Sequence, residues 1–178
     1  MVTVNGVPSL CQGTCSYTFM QVSEITSLSL SSSTLSFGIS NPTSLNITSS
    51  SITVTADGLP CTVNSGSISA LTCSLQTNSD GSPILIAGEL IPIVYINPYG
   101  IAGPGSGVSP INVPLIAKSL SVSTGGNNGG LLTTLAGSGF PLDKTQISIT
   151  ICGNLATISS ISNEQIILYT PICNSTGV

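Results

Sequence analysis

Any chemistry in this chain would have to come from six cysteines, at positions 11, 15, 61, 73, 152 and 173, six carboxylates and two lysines. Histidine is absent, which removes His-based triads and any zinc site with a His ligand. The carboxylates Glu24, Asp57, Asp80, Glu89, Asp143 and Glu164 stand alone in sequence. A hydrolase would need two of them converging in one cleft, and a calcium loop would need an Asp-x-Asp spacing that the chain lacks. Asp57 and Asp80 each precede Gly and read as turn residues that bond their own main chain. Cys11 has no His or Lys nearby to lower its pKa, so it lacks the character of a nucleophile. The run Gly125–Gly130 is not followed by Gly-Lys-Ser/Thr and reads as a flexible turn, not a phosphate loop. Tyr17, Tyr95 and Tyr169 sit in strand-like contexts and read as core or seam residues. The chain therefore reads as a non-enzyme without metal or cofactor.

Composition narrows the partners. Two cations and a net charge of −4 leave nothing to track phosphates, so nucleic acid is excluded as a ligand. Charged residues make up 4%, against about 25% in an average soluble domain. Hydrophobic residues reach 40% and mean hydropathy is +0.51, which argues against disorder. No apolar run approaches the roughly 18–20 residues of a membrane helix. The longest, Ile84 to Ile96, is broken by Gly88, Glu89 and Pro92. The start, Met1-Val2-Thr3-Val4-Asn5-Gly6, has neither a basic nor a long apolar region and does not read as a signal peptide.

An even cysteine count without metal partners reads as disulfides and an oxidising compartment. Two sequons, Asn46-Ile47-Thr48 and Asn174-Ser175-Thr176, point the same way and predict glycans on Asn46 and Asn174 in a eukaryotic source. The expected location is extracellular or at the cell surface. Cys11 and Cys15 enclose only Gln12-Gly13-Thr14 and read as a hairpin-tip bridge.

The elements that would position these residues are strands. Apolar residues alternate at Leu28/Leu30, Leu45/Ile47, Ile52/Val54, Ile147/Ile149/Ile151 and Ile166/Leu168. Turn clusters separate them, among them Ala56-Asp57-Gly58 and Asn78-Ser79-Asp80-Gly81. The chain also repeats itself. Thr26–Ser31 matches Lys118–Ser123, Ile52–Gly58 matches Ile147–Gly153, and Asn78-Ser79-Asp80-Gly81 matches Asn174-Ser175-Thr176-Gly177. The offset, roughly 92–96 residues, is about one immunoglobulin-like sandwich. The expected fold is all-β, with tandem immunoglobulin-like sandwiches at 22–114 and 115–178 and a separate segment at 1–21.

Gly129 to Pro141, with its Gly137-Ser138-Gly139-Phe140 turn, resembles the opening of an IPT/TIG domain. Ile147–Ala156 resembles that family's next strand and turn, and Ile166–Pro171 the strand that follows. The first repeat keeps only the later part, from Thr53 to Cys73, and lacks the Gly-Ser-Gly-Phe turn. The resemblance implies an immunoglobulin-like sandwich without catalytic residues, of a kind found in tandem in fibrocystin-like surface proteins and plexin-type receptors. It also implies a Cys61–Cys73 disulfide. In the register of the repeats the second unit has lost that bridge, and a Cys152–Cys173 bond is expected instead, worth about 3 kcal/mol by chain entropy. Buried free thiols are the competing reading.

The second sandwich lacks counterparts of the strands that follow Gly81 in the first. Joining Gly177-Val178 to Met1 restores the first unit's spacing as far as Gly6, with Ser16-Tyr17 then parallel to Val94-Tyr95. The segment 1–21, through Val2, Val4, Val7, Tyr17 and Phe19, is therefore expected to complete the second domain of a neighbouring unit. The expected function is a structural subunit of an extracellular filament or surface array, assembled head-to-tail from copies of itself by strand complementation or covalent repetition. The rival is a receptor or adhesin ectodomain that binds a partner through its loops.

Overall fold

The computed structural model describes residues 3–4, 7–8, 23–40, 47–64 and 67–173. It is 51% strand and 4% helix, so the fold is all-β. The helical part described is two single-turn 3-10 segments, Ser49–Ser51 and Lys144–Gln146. Cys11, Cys15, Asn46, Asn174, Val2, Tyr17 and Phe19 lie outside the described residues.

Two short strands, β1 (Thr3–Val4) and β2 (Val7–Pro8), pair antiparallel with Val4 opposite Val7. The first unit follows with β3 (Glu24–Ser31), β4 (Thr34–Ile39), β5 (Ile52–Ala56), β6 (Leu59–Val63), β7 (Leu71–Ser74), β8 (Gly88–Leu90), β9 (Ile93–Ile96), β10 (Gly100–Pro104) and β11 (Ile111–Val113). β3, β4 and β7 form one sheet, and β5 and β9 the other. β6 and β10 pair with both sheets. The sandwich is thus closed into a seven-strand circuit, β10-β3-β4-β7-β6-β5-β9, with β10 parallel to β3. Closure leaves these strands no open sheet edge.

Alternation sets the register. Along β5, Ile52, Val54 and Ala56 are buried while Thr53 is exposed. They meet Ile25, Leu35, Phe37, Leu71, Val94 and Ile96 in one core. Tyr95 falls on the opposite parity to Val94 and Ile96, so it faces solvent, 44% exposed. Tyr169 follows buried Leu168 and is likewise 44% exposed. Neither is the core residue its strand context suggested; period-2 geometry puts each outward.

The second unit comprises β12 (Ile116–Leu120), β13 (Leu132–Ser138), β14 (Thr150–Ile151), β15 (Asn154–Leu155), β16 (Thr157–Ile161) and β17 (Gln165–Tyr169). Its main sheet is four-stranded and antiparallel, β12-β13-β17-β16, and β14 pairs with β15 as a separate hairpin. Phe140, Ile166 and Leu168 are its buried apolar residues.

One matched stretch of the two units has a similar backbone. In each unit a 3-10 turn leads into the strand segment and a two-residue hairpin turn follows: Asp57 and Gly58 at φ 50° and 79°, Cys152 and Gly153 at 54° and 79°. Positive φ at both central residues is the type I′ geometry, which matches the twist of paired strands.

Candidate functional site: an open sheet face beside a pinned junction

The two units meet at Asn163, a polar side chain only 2% exposed. Its Nδ2 donates to the Leu85 carbonyl oxygen at 2.6 Å and to the Phe140 carbonyl oxygen at 2.9 Å. Its Oδ1 accepts from Asn78 Nδ2 at 3.2 Å. Alongside, the Ala87 amide donates to the Gly139 carbonyl oxygen at 2.9 Å. Buried amides without partners are costly, and here the side chain is satisfied from both units. Nothing in Ser162-Asn163-Glu164 marked this residue beforehand, because it reads as an ordinary polar turn.

The Gly137-Ser138-Gly139-Phe140 turn belongs to the same junction. Gly139 has φ +81°, and a Cβ there would press on the Pro114 carbonyl oxygen. A Cβ on Gly137 would collide with the Ile116 carbonyl oxygen and the Phe140 ring. Both glycines are thus required by space, and Gly139 also by backbone conformation. Phe140 is 2% exposed and anchors the second core.

The second feature is an unfinished face. Ile147, Ile149 and Ile151 correspond to Ile52, Val54 and Ala56, with the same alternation. The first-unit residues are buried; their counterparts are only half-buried. The cause lies in what covers them. β5 pairs with β6 on one edge and β9 on the other, whereas β14 pairs with β15 and has no second partner among the described residues. β12, at the edge of the main sheet, is exposed along its whole length. Beside this face opens a cleft of about 350 Å³, whose lining includes Val122, Leu131, Thr133, Ile151 and Cys152 and no charged side chain.

Asp80 approaches Glu164 across the junction, and Ser79 Oγ donates to Glu164 Oε2 at 3.4 Å. The Ser82 hydroxyl and amide hold the Asp80 carboxyl below its ordinary value, the opposite of the raised pKa that a general acid needs. Asp80 bonds its local main chain, the Ser82 amide at 2.9 Å. Asp57 does not: its Oδ2 accepts from the distant Ile86 amide at 2.8 Å, because the type I′ turn aims the carboxylate at the chain leading to β8. The Gly125–Gly130 segment is not a free turn either. Gly130 N donates to the Thr170 carbonyl oxygen at 2.8 Å, and Cys173 N to the Asn127 carbonyl oxygen at 2.9 Å.

Cys61 is joined to Cys73 across β6 and β7, with a Cα–Cα distance of 5.5 Å, and Cys152 to Cys173 at 5.7 Å. The Cys152–Cys173 bond and the Asn154 Nδ2 bond to the Ile172 carbonyl oxygen at 2.7 Å fasten the hairpin turn to the chain leaving β17. They also fix one wall of the cleft.

The Gly-rich turn, its buried Phe140 and the following strand and hairpin agree with the family comparison, in which the IPT/TIG model matches residues 115–178. The second unit is an IPT/TIG domain. No curated protein matches the chain. Among solved structures, the chain is similar to the plexin A4 full extracellular region, domains 1 to 10, at 10% identity and a TM-score of 0.34. That match covers 89% of this chain and spans 13% of the plexin chain. In the IPT/TIG domain the open face is formed by 147–151 and the main sheet behind it, and the pinned junction lies at the opening Gly-Ser-Gly-Phe turn.

Proposed function

We propose that this chain is a non-catalytic module of an extracellular surface protein, and that it works by holding a protein partner, as receptor or adhesin ectodomains do. The observation that carries the reading is the open face of the IPT/TIG domain: the half-buried segment 147–151, whose strand part Thr150–Ile151 has no second partner among the described residues, beside an uncharged cleft. Such an edge pairs with added strands through main-chain hydrogen bonds and needs no charge to do so. Two disulfides support an oxidising compartment, and glycans on Asn46 and Asn174 would supply the polar cover that a nearly uncharged surface lacks. Thiol alkylation and intact mass of the native material test this. Paired cysteines are the expected result, and free thiols at 61, 73, 152 and 173 would remove the extracellular assignment.

A second reading is a structural repeat of a filament or array, with the same edge joining successive units. It is favoured by the internal repeat. Electron microscopy of the native material separates the two: dispersed particles support the ectodomain module, and regular fibres support the array.

A further inference from the structure

We propose that the outer face of strands β6, β5, β9 and β10 is a docking surface for a second copy of this chain, and that two copies pack there face to face. The surface belongs to the first unit and is separate from the open face of the IPT/TIG domain.

Strand register lays the face out. The outward residues of β5 and β9 stand opposite each other, Thr53 with Tyr95 and Thr55 with Ile93. The rows continue from Tyr95 to Ile101 on β10 and from Thr55 to Pro60 on β6. Val54, Val94 and Ala102, on the other parity, belong to the core. Ile93, Tyr95 and Ile101 are 55%, 44% and 59% exposed. Ile91, just before β9, and Tyr99, in the β9–β10 turn, add exposed apolar surface at the two ends of β9. No charged side chain occupies any of these positions.

The opposite face of the same sandwich supplies the contrast. Across β3, β4 and β7 two outward rows read Ser31-Thr34-Ser74 and Ser29-Ser36-Thr72. Every one of these residues carries a hydroxyl. Alternation turns one residue in two outward on both faces, yet one face fills those positions with Ser and Thr and the other with Ile and Tyr. The apolar face is therefore not a by-product of composition.

Area and charge name the occupant. Side chains of this size offer about 150–250 Å² each, so the exposed fractions of the five apolar residues amount to roughly 500 Å², within the range of monomer patches that are often functional. With Thr53, Thr55, Pro60 and Thr62 alongside, the face approaches the about 800 Å² per partner of a standard interface. The chain carries a net charge of −4, and this face lets two copies meet without bringing like charges together. A partner chosen by charge finds nothing here to read. In a two-fold contact one patch serves both sides. An axis lying between the two sheets and crossing β9 between Ile93 and Tyr95 sets Ile93 of one copy over Tyr95 of the other, at the spacing of about 10 Å usual for packed sheets.

The test is sedimentation of the full chain over a concentration series. A reversible monomer–dimer equilibrium is expected. Tyr95→Asp sets like charges against each other beside the axis and should raise the dissociation constant by about tenfold or more. Ser29→Asp adds the same charge to the hydroxyl face and should leave the constant unchanged. Ile93→Thr combined with Ile101→Thr keeps β-branched residues on both strands, so it guards against a folding failure of the aspartate variant, and it should weaken the dimer as well. A chain that stays monomeric, or a dimer indifferent to Tyr95→Asp and to the threonine pair, overturns the proposal. So does a monomer whose Tyr95 ring signals shift on addition of maltohexaose, which would assign the face to a neutral sugar.

Discussion

The Asn163 amide donates to the Leu85 carbonyl oxygen at 2.6 Å, across 78 residues of chain and out of contact with water. This one side chain joins the segment before β17 to the segment before β8, and through Phe140 it also reaches the core of the IPT/TIG domain. Asn163→Ala leaves two buried carbonyl groups without a donor and should lower stability by about 1–3 kcal/mol. Asn163→Asp should cost more, because it turns an acceptor towards those carbonyls. Denaturant unfolding of the two variants checks both statements.

Gly139→Ala and Gly137→Ala should each destabilise the IPT/TIG domain by about 1–3 kcal/mol, the first through backbone strain and the second through collision with Ile116 and Phe140. Gly126→Ala meets open space at an ordinary backbone angle and should change stability by less than about 0.5 kcal/mol. Thermal melts of the three variants separate a requirement for these glycines from a general intolerance of the loop.

The two described disulfides should differ in how they yield to reductant. Cys61 and Cys73 are buried, whereas Cys152 is exposed and Cys173 half-buried. Under native conditions dithiothreitol should open Cys152–Cys173 first and spare Cys61–Cys73 until the first unit unfolds, since exchange requires access to a sulfur. Alkylation during a reduction time course, followed by peptide mapping, gives the order. Simultaneous loss would contradict it.

Acid should expose two small carboxylate contributions. Asp80 is held below its ordinary value of 3.8 by the Ser82 hydroxyl and amide, and Asp143 by the Thr145 amide and hydroxyl. A lowered folded-state pKa means that the stabilisation is fully present above the unfolded value and fades as pH falls through the folded one. The melting temperature of the chain should therefore decline as pH drops below 3.8. Asp80→Asn with Asp143→Asn should flatten that limb, which melts across an acid series would show.

Many strands were readable in advance because alternation is local: Ile52/Val54 and Ile166/Leu168 announce themselves within a few residues, whereas of the Ile147/Ile149/Ile151 run only Thr150–Ile151 is strand. The Gly137-Ser138-Gly139-Phe140 turn was readable as a pattern, and the structure supplies its reason in the close approach of Ile116 and Pro114. Asn163 was not readable, since an asparagine in a turn carries no mark of burial; only packing the two units together makes it a donor between carbonyls. Tyr95 and Tyr169 show the limit of strand context without parity. That the second unit lacks strands the first one has was readable from the missing counterparts of the residues after Gly81; that 147–151 is the half-buried segment needed coordinates, because Ile149 and Val54 look alike in sequence.

The parallel pairing of β3 with β10, through Gly103 opposite Glu24 and Pro104 opposite Ile25, has a mechanical consequence. β3 brings the chain into the first unit, and β10 is the last strand of its closed circuit. Tension drawn from the start of β3 to the end of β10 pulls these neighbours in opposite directions along their own axes. The bonds between them, including the Gly105 amide to the Ile25 carbonyl oxygen at 2.9 Å, are then loaded together in shear. The β5–β6 hairpin would instead unzip one bond at a time. Under an end-to-end pull the first unit therefore resists at the β3–β10 seam, and that seam sets the force at which it opens.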